Sequence, residues 1–127
     1  MVRSTLCNIR VTITWFALGL LCVGNAFANG ALAIDTNQGA AFGVGRDYRT
    51  MAQAEQRALS ECGSRCRVVV RFVSGCAAYS ADQTRGSNVF GFARASSKAA
   101  AQAKADGYCR SYGGKRCLIR VWGCNSQ

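Results

Sequence analysis

The chain reads as an α+β domain in which a β-β-α-β unit is used twice. The strands would form one antiparallel sheet with two helices on one face, held by disulfides. Three observations predict this. Cys62, Cys66 and Cys76 bracket a valine-rich run, and Cys109, Cys117 and Cys124 bracket a second such run. An alanine-rich stretch of helical spacing precedes each triplet, and a pair of short apolar runs precedes each helix.

The N-terminus has the build of a secretory signal. Arg3 and Arg10 supply a positive region, Val11 to Val23 an apolar one, and Ala26-Phe27-Ala28 the small residues a signal peptidase requires. The apolar run is short of the roughly 20 residues that cross a bilayer. Cleavage after Ala28 leaves 99 of the 127 residues, a single domain over 29–127 with repeats at about 30–75 and 76–127. Export to the periplasm or beyond the cell is the expected compartment.

The first unit opens with Gly30 to Asp35 and Ala40 to Gly45 around an Asn/Gly turn, a hairpin pattern. Phe42 and Val44 face one way and Gly43 and Gly45 the other, so another backbone can approach the glycine side. Thr50 with Gln53 matches a capping box. Met51, Ala54, Ala58, Leu59 and Cys62 then form one helical stripe that Gly63 can close. In the strand that follows, alternation places Cys66, Val68, Val70 and Phe72 in the core and Arg67, Val69, Arg71 and Val73 on the other side.

The second unit repeats the order. Gly75 to Asp82 and Asn88 to Ala93 rebuild the hairpin, with Asp82 matching Asp35 at the end of the first strand. Ser96-Ser97 caps a helix through Ala101, Ala105 and Cys109, and Cys117 to Cys124 is the last strand.

Cys7 and Cys22 fall in the signal, which leaves six cysteines in a small exported chain, and six imply a disulfide framework. Histidine and CxxC knuckles are both absent, which argues against zinc. Pseudo-symmetry favours Cys62–Cys66 and Cys109–Cys117 as local staples, with Cys76–Cys124 joining the two halves. The rival scheme pairs Cys62 with Cys109 and Cys66 with Cys117.

Function is harder to read. No histidine is present, the cysteines are paired, and Asp35 and Asp82 sit beside turns where aspartate bonds its own backbone. The glycine pairs lack the lysine and helix of a phosphate loop, so neither an enzyme nor a cofactor is expected. Sixteen basic residues less Arg3 and Arg10 leave 14 against six acids, a mature charge of +8. That field suits acidic partners, although it also serves solubility. If the two valine-rich strands are neighbours, Arg67, Arg71, Arg120 and Trp122 form a basic-aromatic binding face. The competing reading puts Trp122 in the core and the arginines in solvent. The expected role is recognition of a protein with an acidic surface, as an inhibitor or immunity-type protein or a host-directed factor. The alternative is a cationic module for anionic envelope polymers or lipid headgroups. Export argues against nucleic acid.

Gly30-Ala-Leu-Ala, Ala41 to Gly45, Ala52 to Glu55, Cys66 to Phe72, Gly75-Cys76-Ala-Ala and Arg120 to Cys124 occur in this order. In that combination the chain resembles a family of small secreted bacterial proteins known as a domain of unknown function (four-one-eight-nine). The resemblance implies export and cysteine pairing and brings no activity. Asp106-Gly107 stands where the first unit has Leu59-Ser60, a departure in the second helix.

Overall fold

The structure, a computed structural model, describes residues 27–37 and 40–126; residues 1–26 of the expected signal lie outside the described residues. The elements run β1 (Asn29–Ile34), β2 (Phe42–Tyr48), α1 (Met51–Cys62), β3 (Arg67–Val73), β4 (Cys76–Asp82), β5 (Phe90–Ala95), α2 (Lys98–Ser111) and β6 (Cys117–Cys124).

The expected single sheet is corrected to two three-stranded antiparallel sheets, ordered β2-β1-β3 and β5-β4-β6. The reason lies in the pairing within each run. β1 and β4 each take both neighbours from their own run, and no edge strand of one run (β2, β3) pairs with an edge strand of the other (β5, β6) among the described residues. The sheets meet through their faces instead. Leu32, Ile34, Val70 and Phe72 of one pack against Ala77, Tyr79 and Ala81 of the other, with Phe42, Val44, Phe90 and Phe92 closing the sides.

The helices are likewise not on one face. Ala31 and Ala33 alternate with Leu32 and Ile34 along β1 and pack against Ala54, Ala58 and Cys62 of α1. Cys76, Ala78 and Ala93 pack against Ala101 and Ala105 of α2. Each helix therefore covers the outer face of its own sheet, giving four layers: α1, sheet, sheet, α2. β1 and β4 are buried on both sides, with large side chains toward the other sheet and small ones toward the helix.

Small residues set the helix spacing. A Cβ on Gly43 would lie 2.1 Å from the Ala58 carbonyl oxygen, and one on Gly91 would lie 2.4 Å from that of Ala105. The α1 start has the capping box, with Gln53 N–H donating to Thr50 Oγ1 at 3.2 Å and the Thr50 N–H donating to Gln53 Oε1 at 3.3 Å. Asp106 has a use in α2: its carboxylate accepts the hydroxyl of the fully buried Ser80 at 3.1 Å and pairs with Arg110 at 2.7 Å.

Disulfides join Cys62 to Cys66, Cys76 to Cys124 and Cys109 to Cys117. The first and third tie each helix end to the strand after it. Cys76–Cys124 does not join the halves, because its cysteines are direct cross-strand partners of β4 and β6 within one sheet. Three disulfides are compatible with an exported protein or an oxidising compartment.

A polar lock helps to join the sheets. The Asn125 side chain is buried, accepts the Asp47 N–H at 2.8 Å, and donates to the Ala28 and Phe72 carbonyls. Its own N–H donates to Gly75 at 2.9 Å. Asp47, at φ 60°, accepts from the Ser126 N–H and hydroxyl at 2.6 and 2.8 Å. The tail after β6 is thereby bound to β2, to the end of β3 and to the residue before β1.

Candidate functional site

The strand faces expected from alternation are changed by two bulges. In the β1–β3 ladder Leu32 pairs with Val70 but Ala33 pairs with Val68, so Val69 is the extra residue. In β4–β6 Tyr79 pairs with Val121 but Ser80 pairs with Ile119, so Arg120 is extra. Each bulge reverses the parity of its strand. Arg67 lies opposite Ile34 on the inter-sheet side, whereas Arg71 lies opposite Ala31 on the helix side.

The four residues are also in two different sheets. β3 and β6 pair with β1 and β4 respectively and not with each other, so the expected face of Arg67, Arg71, Arg120 and Trp122 is not formed. Arg71 ion-pairs with Glu55 of α1. The Arg120 guanidinium donates to Gln83 Oε1 at 3.1 Å and lies 5.8 Å from the Phe42 ring. Trp122, opposite Ala78, is 40% exposed, so it is not core; its ring carries Lys98 Nζ at 3.8 Å. That contact is a cation–π pair at the start of α2.

A different cluster does converge. Between the edge of β3, the edge of β5 and the flank of α2 lies a groove of about 550 Å³, lined among others by Arg71, Arg94, Lys104, Phe92, Tyr108 and Tyr112. Gly91 allows it, since the helix backbone sits directly over that residue and brings Tyr108 to the rim. Tyr108 and Tyr112, one helical turn apart, stack at 6.4 Å with 17° between their planes and are 46% and 67% exposed. The cations form a chain: Arg94 Nη1 donates to the Arg71 carbonyl at 3.0 Å, and Lys104 Nζ to the Arg94 carbonyl at 3.4 Å. With Arg71 already paired to Glu55, Arg94 and Lys104 beside two exposed phenols can hold carboxylates and bury apolar stems.

Of the residues singled out from sequence, Arg71 alone lines this groove. Arg94, Lys104, Tyr108 and Tyr112 were missed. Tyr108 and Tyr112 carried a signal, two aromatics at i and i+4 on the polar flank of an alanine helix.

The turn aspartates serve the backbone. Asp35 accepts the Asn37 N–H at 3.0 Å. Asp82 accepts from the Thr84 N–H at 3.1 Å, the Thr84 hydroxyl at 2.8 Å and the Arg116 N–H at 2.9 Å. Burial works to raise the Asp82 carboxyl, but hydrogen bonds from Ser87, Arg116 and Thr84 outweigh it and hold the group well below the usual range. Burial in the inter-sheet core pushes the Tyr79 phenol up to about 12, with Arg120 opposing the shift and Asp35 adding to it. Among the described residues no cluster of three or more His, Cys, Asp or Glu side chains is placed to hold a metal, and no helix is long and apolar enough to cross a membrane.

No curated protein matches the chain. Among solved structures, the NMR structure of Rv1813c from Mycobacterium tuberculosis is similar, with 25% identity and a TM-score of 0.57 over 98% of this chain and 99% of that one. The model of a family described as a domain of unknown function (DUF4189) matches residues 29–124, from the first residue of β1 to the last of β6. The chain therefore belongs to that family.

Proposed function

We propose that this is an exported, non-enzymatic binding protein that recognises an acidic surface of another protein, as an inhibitor or immunity-type protein or a host-directed factor. The observation that carries this reading is the groove, where Arg71, Arg94 and Lys104 stand beside the exposed Tyr108 and Tyr112. Tyrosine and arginine are frequent anchors of protein interfaces, and a cross-linked scaffold loses little freedom on binding. The mature charge of +8 adds long-range attraction for an acidic partner. Arg67, Arg120 and Trp122 remain binding candidates as separate exposed points rather than as one face.

The reading of the domain as a duplication has support of its own. Both runs have the order β-β-α-β with the first strand central, and Gly43 and Gly91 stand in the same place under their helices.

The test is affinity capture by the oxidised protein from periplasm and medium, with Lys104→Glu and Tyr112→Ala alongside. A stoichiometric protein partner held at high salt, and weakened about tenfold in each variant, is expected for an interface anchor. Capture unchanged by both variants removes the groove. The charge favours a second reading, a module for anionic polymers or lipid headgroups. It requires binding that collapses with salt, since exposed charges are screened beyond about 8 Å at physiological strength.

A further inference from the structure

The groove is bounded by two strand edges, and hydrogen-bond phase fixes which backbone groups they present. The Asp82 N–H donates to the Val89 carbonyl at 2.9 Å, which makes that pair hydrogen-bonded in the β4–β5 ladder. Antiparallel pairs alternate. Ser80–Gly91, Ala78–Ala93 and Cys76–Ala95 are therefore the bonded pairs, and Phe90, Phe92 and Arg94 turn their N–H and C=O groups away from β4. Two contacts agree with this phase. The Arg94 carbonyl is met from the outer side by Lys104, and the Arg71 carbonyl, outward in its own ladder, is met by Arg94. No other described strand pairs with this edge of β5.

We propose that the edge of β5 is a strand-addition site for an extended acidic peptide, paired through Phe90, Phe92 and Arg94. The inference rests on the protein-recognition reading and specifies its mode. Strand addition takes affinity from main-chain bonds and specificity from alternate side chains. Here the two sides of an added strand meet different walls. Residues level with Gly91 and Ala93 face Lys104, Tyr108 and Tyr112 of α2, and those level with Phe92 and Arg94 face Val69 and Arg71 of β3. Lys104 stands on the α2 side and the Arg94 guanidinium is held at β3, while Arg71 is already paired with Glu55, so acidic side chains are accepted on either side through Lys104 and Arg94. The same cations block the edge against a second copy of this basic chain, as lysine commonly does on exposed edges. A carboxylate would draw Lys104 and Arg94 off the carbonyls they now cover.

The experiment uses the full chain, exported by its host and recovered oxidised, titrated with a hexapeptide of alternating glutamate and valine. Controls are the lysine-for-glutamate peptide and the acidic peptide N-methylated at alternate residues. The acidic peptide is expected to slow amide exchange at Phe90, Phe92 and Arg94. The lysine and N-methylated peptides should each bind at least about tenfold more weakly, the effect of losing charge-assisted or main-chain bonds. Lys104→Glu should weaken the acidic peptide by a similar factor. Equal binding of the N-methylated peptide, or no binding of the acidic one, overturns strand addition. If captured protein still depends on Tyr112 in that case, the groove remains the recognition surface and the mode alone is wrong. If capture is also indifferent to Tyr112, both readings fail.

Discussion

Asn125 shows how much one side chain can carry without a visible sequence signature. It lies one residue past the last cysteine, yet its amide reaches Asp47, Ala28 and Phe72, three segments distant in the chain. Buried amides that keep their partners add little net stability each, but removing one leaves several buried groups unpaired. Asn125→Ala strands the Asp47 N–H and removes the second donor to the Ala28 and Phe72 carbonyls, and should cost about 1–3 kcal/mol. Asn125→Asp tests the same point, since it keeps the acceptor for Asp47 and loses the donor to Ala28 and Phe72. Urea unfolding of the oxidised protein measures both. A loss under about 0.5 kcal/mol for the alanine variant, the range of ordinary surface substitutions, would mean that water replaces the lock.

At the scale of elements, the glycines under the helices are the sharpest test of the packing. Gly91→Ala places a methyl against the Ala105 carbonyl and the Tyr108 Cβ, contacts that only backbone movement can relieve. The expected cost is about 1–3 kcal/mol. Because the displaced residue is the rim of the groove, partner affinity should fall as well. Gly43→Ala strains α1 to a similar degree but lies away from the groove. Thermal denaturation and partner titration of the pair separate packing from recognition, and equal loss of binding in both would dissociate the groove from α2.

These elements were largely legible in the sequence, because their signals are local: the capping box of Thr50 and Gln53, the Ser97 cap, and the alternation of Phe42 and Val44 with Gly43 and Gly45. The faces of β3 and β6 were not. Alternation assumes an unbroken ladder, and a bulge at Val69 or Arg120 is specified by the partner strand rather than by the residue itself. The groove was hidden for a related reason, since it joins Arg71 to Arg94, Lys104 and Tyr112 across two sheets whose relative placement no local pattern records.

For the whole molecule, the consequential difference is between one sheet and two. A single sheet with both helices on one face would leave its other face open to water. Two sheets face to face bury Leu32, Ile34, Phe72 and Tyr79 completely or nearly so, each worth about 1.5–3 kcal/mol if aromatic and aliphatic stems are counted alike. The shared core, rather than a covalent bridge, therefore unites the halves, and the disulfides act within them. Their loops differ in length, with sequence separations of 4, 48 and 8. Chain entropy then assigns roughly 2 kcal/mol to Cys62–Cys66, about 4 to Cys76–Cys124 and about 2.6 to Cys109–Cys117. The domain's total stability is expected at about 5–15 kcal/mol. Replacing Cys76 and Cys124 together by alanine should thus remove the largest share, about twice the loss from replacing Cys62 and Cys66. Denaturant unfolding of the two double variants decides it. Because Cys76–Cys124 closes a loop containing all of β5 and α2, its loss should also loosen the second sheet first, seen as faster amide exchange in β6 while β1 stays protected. Uniform exchange across both sheets would instead mean that the core makes them one cooperative unit, in which no single bridge has a local effect.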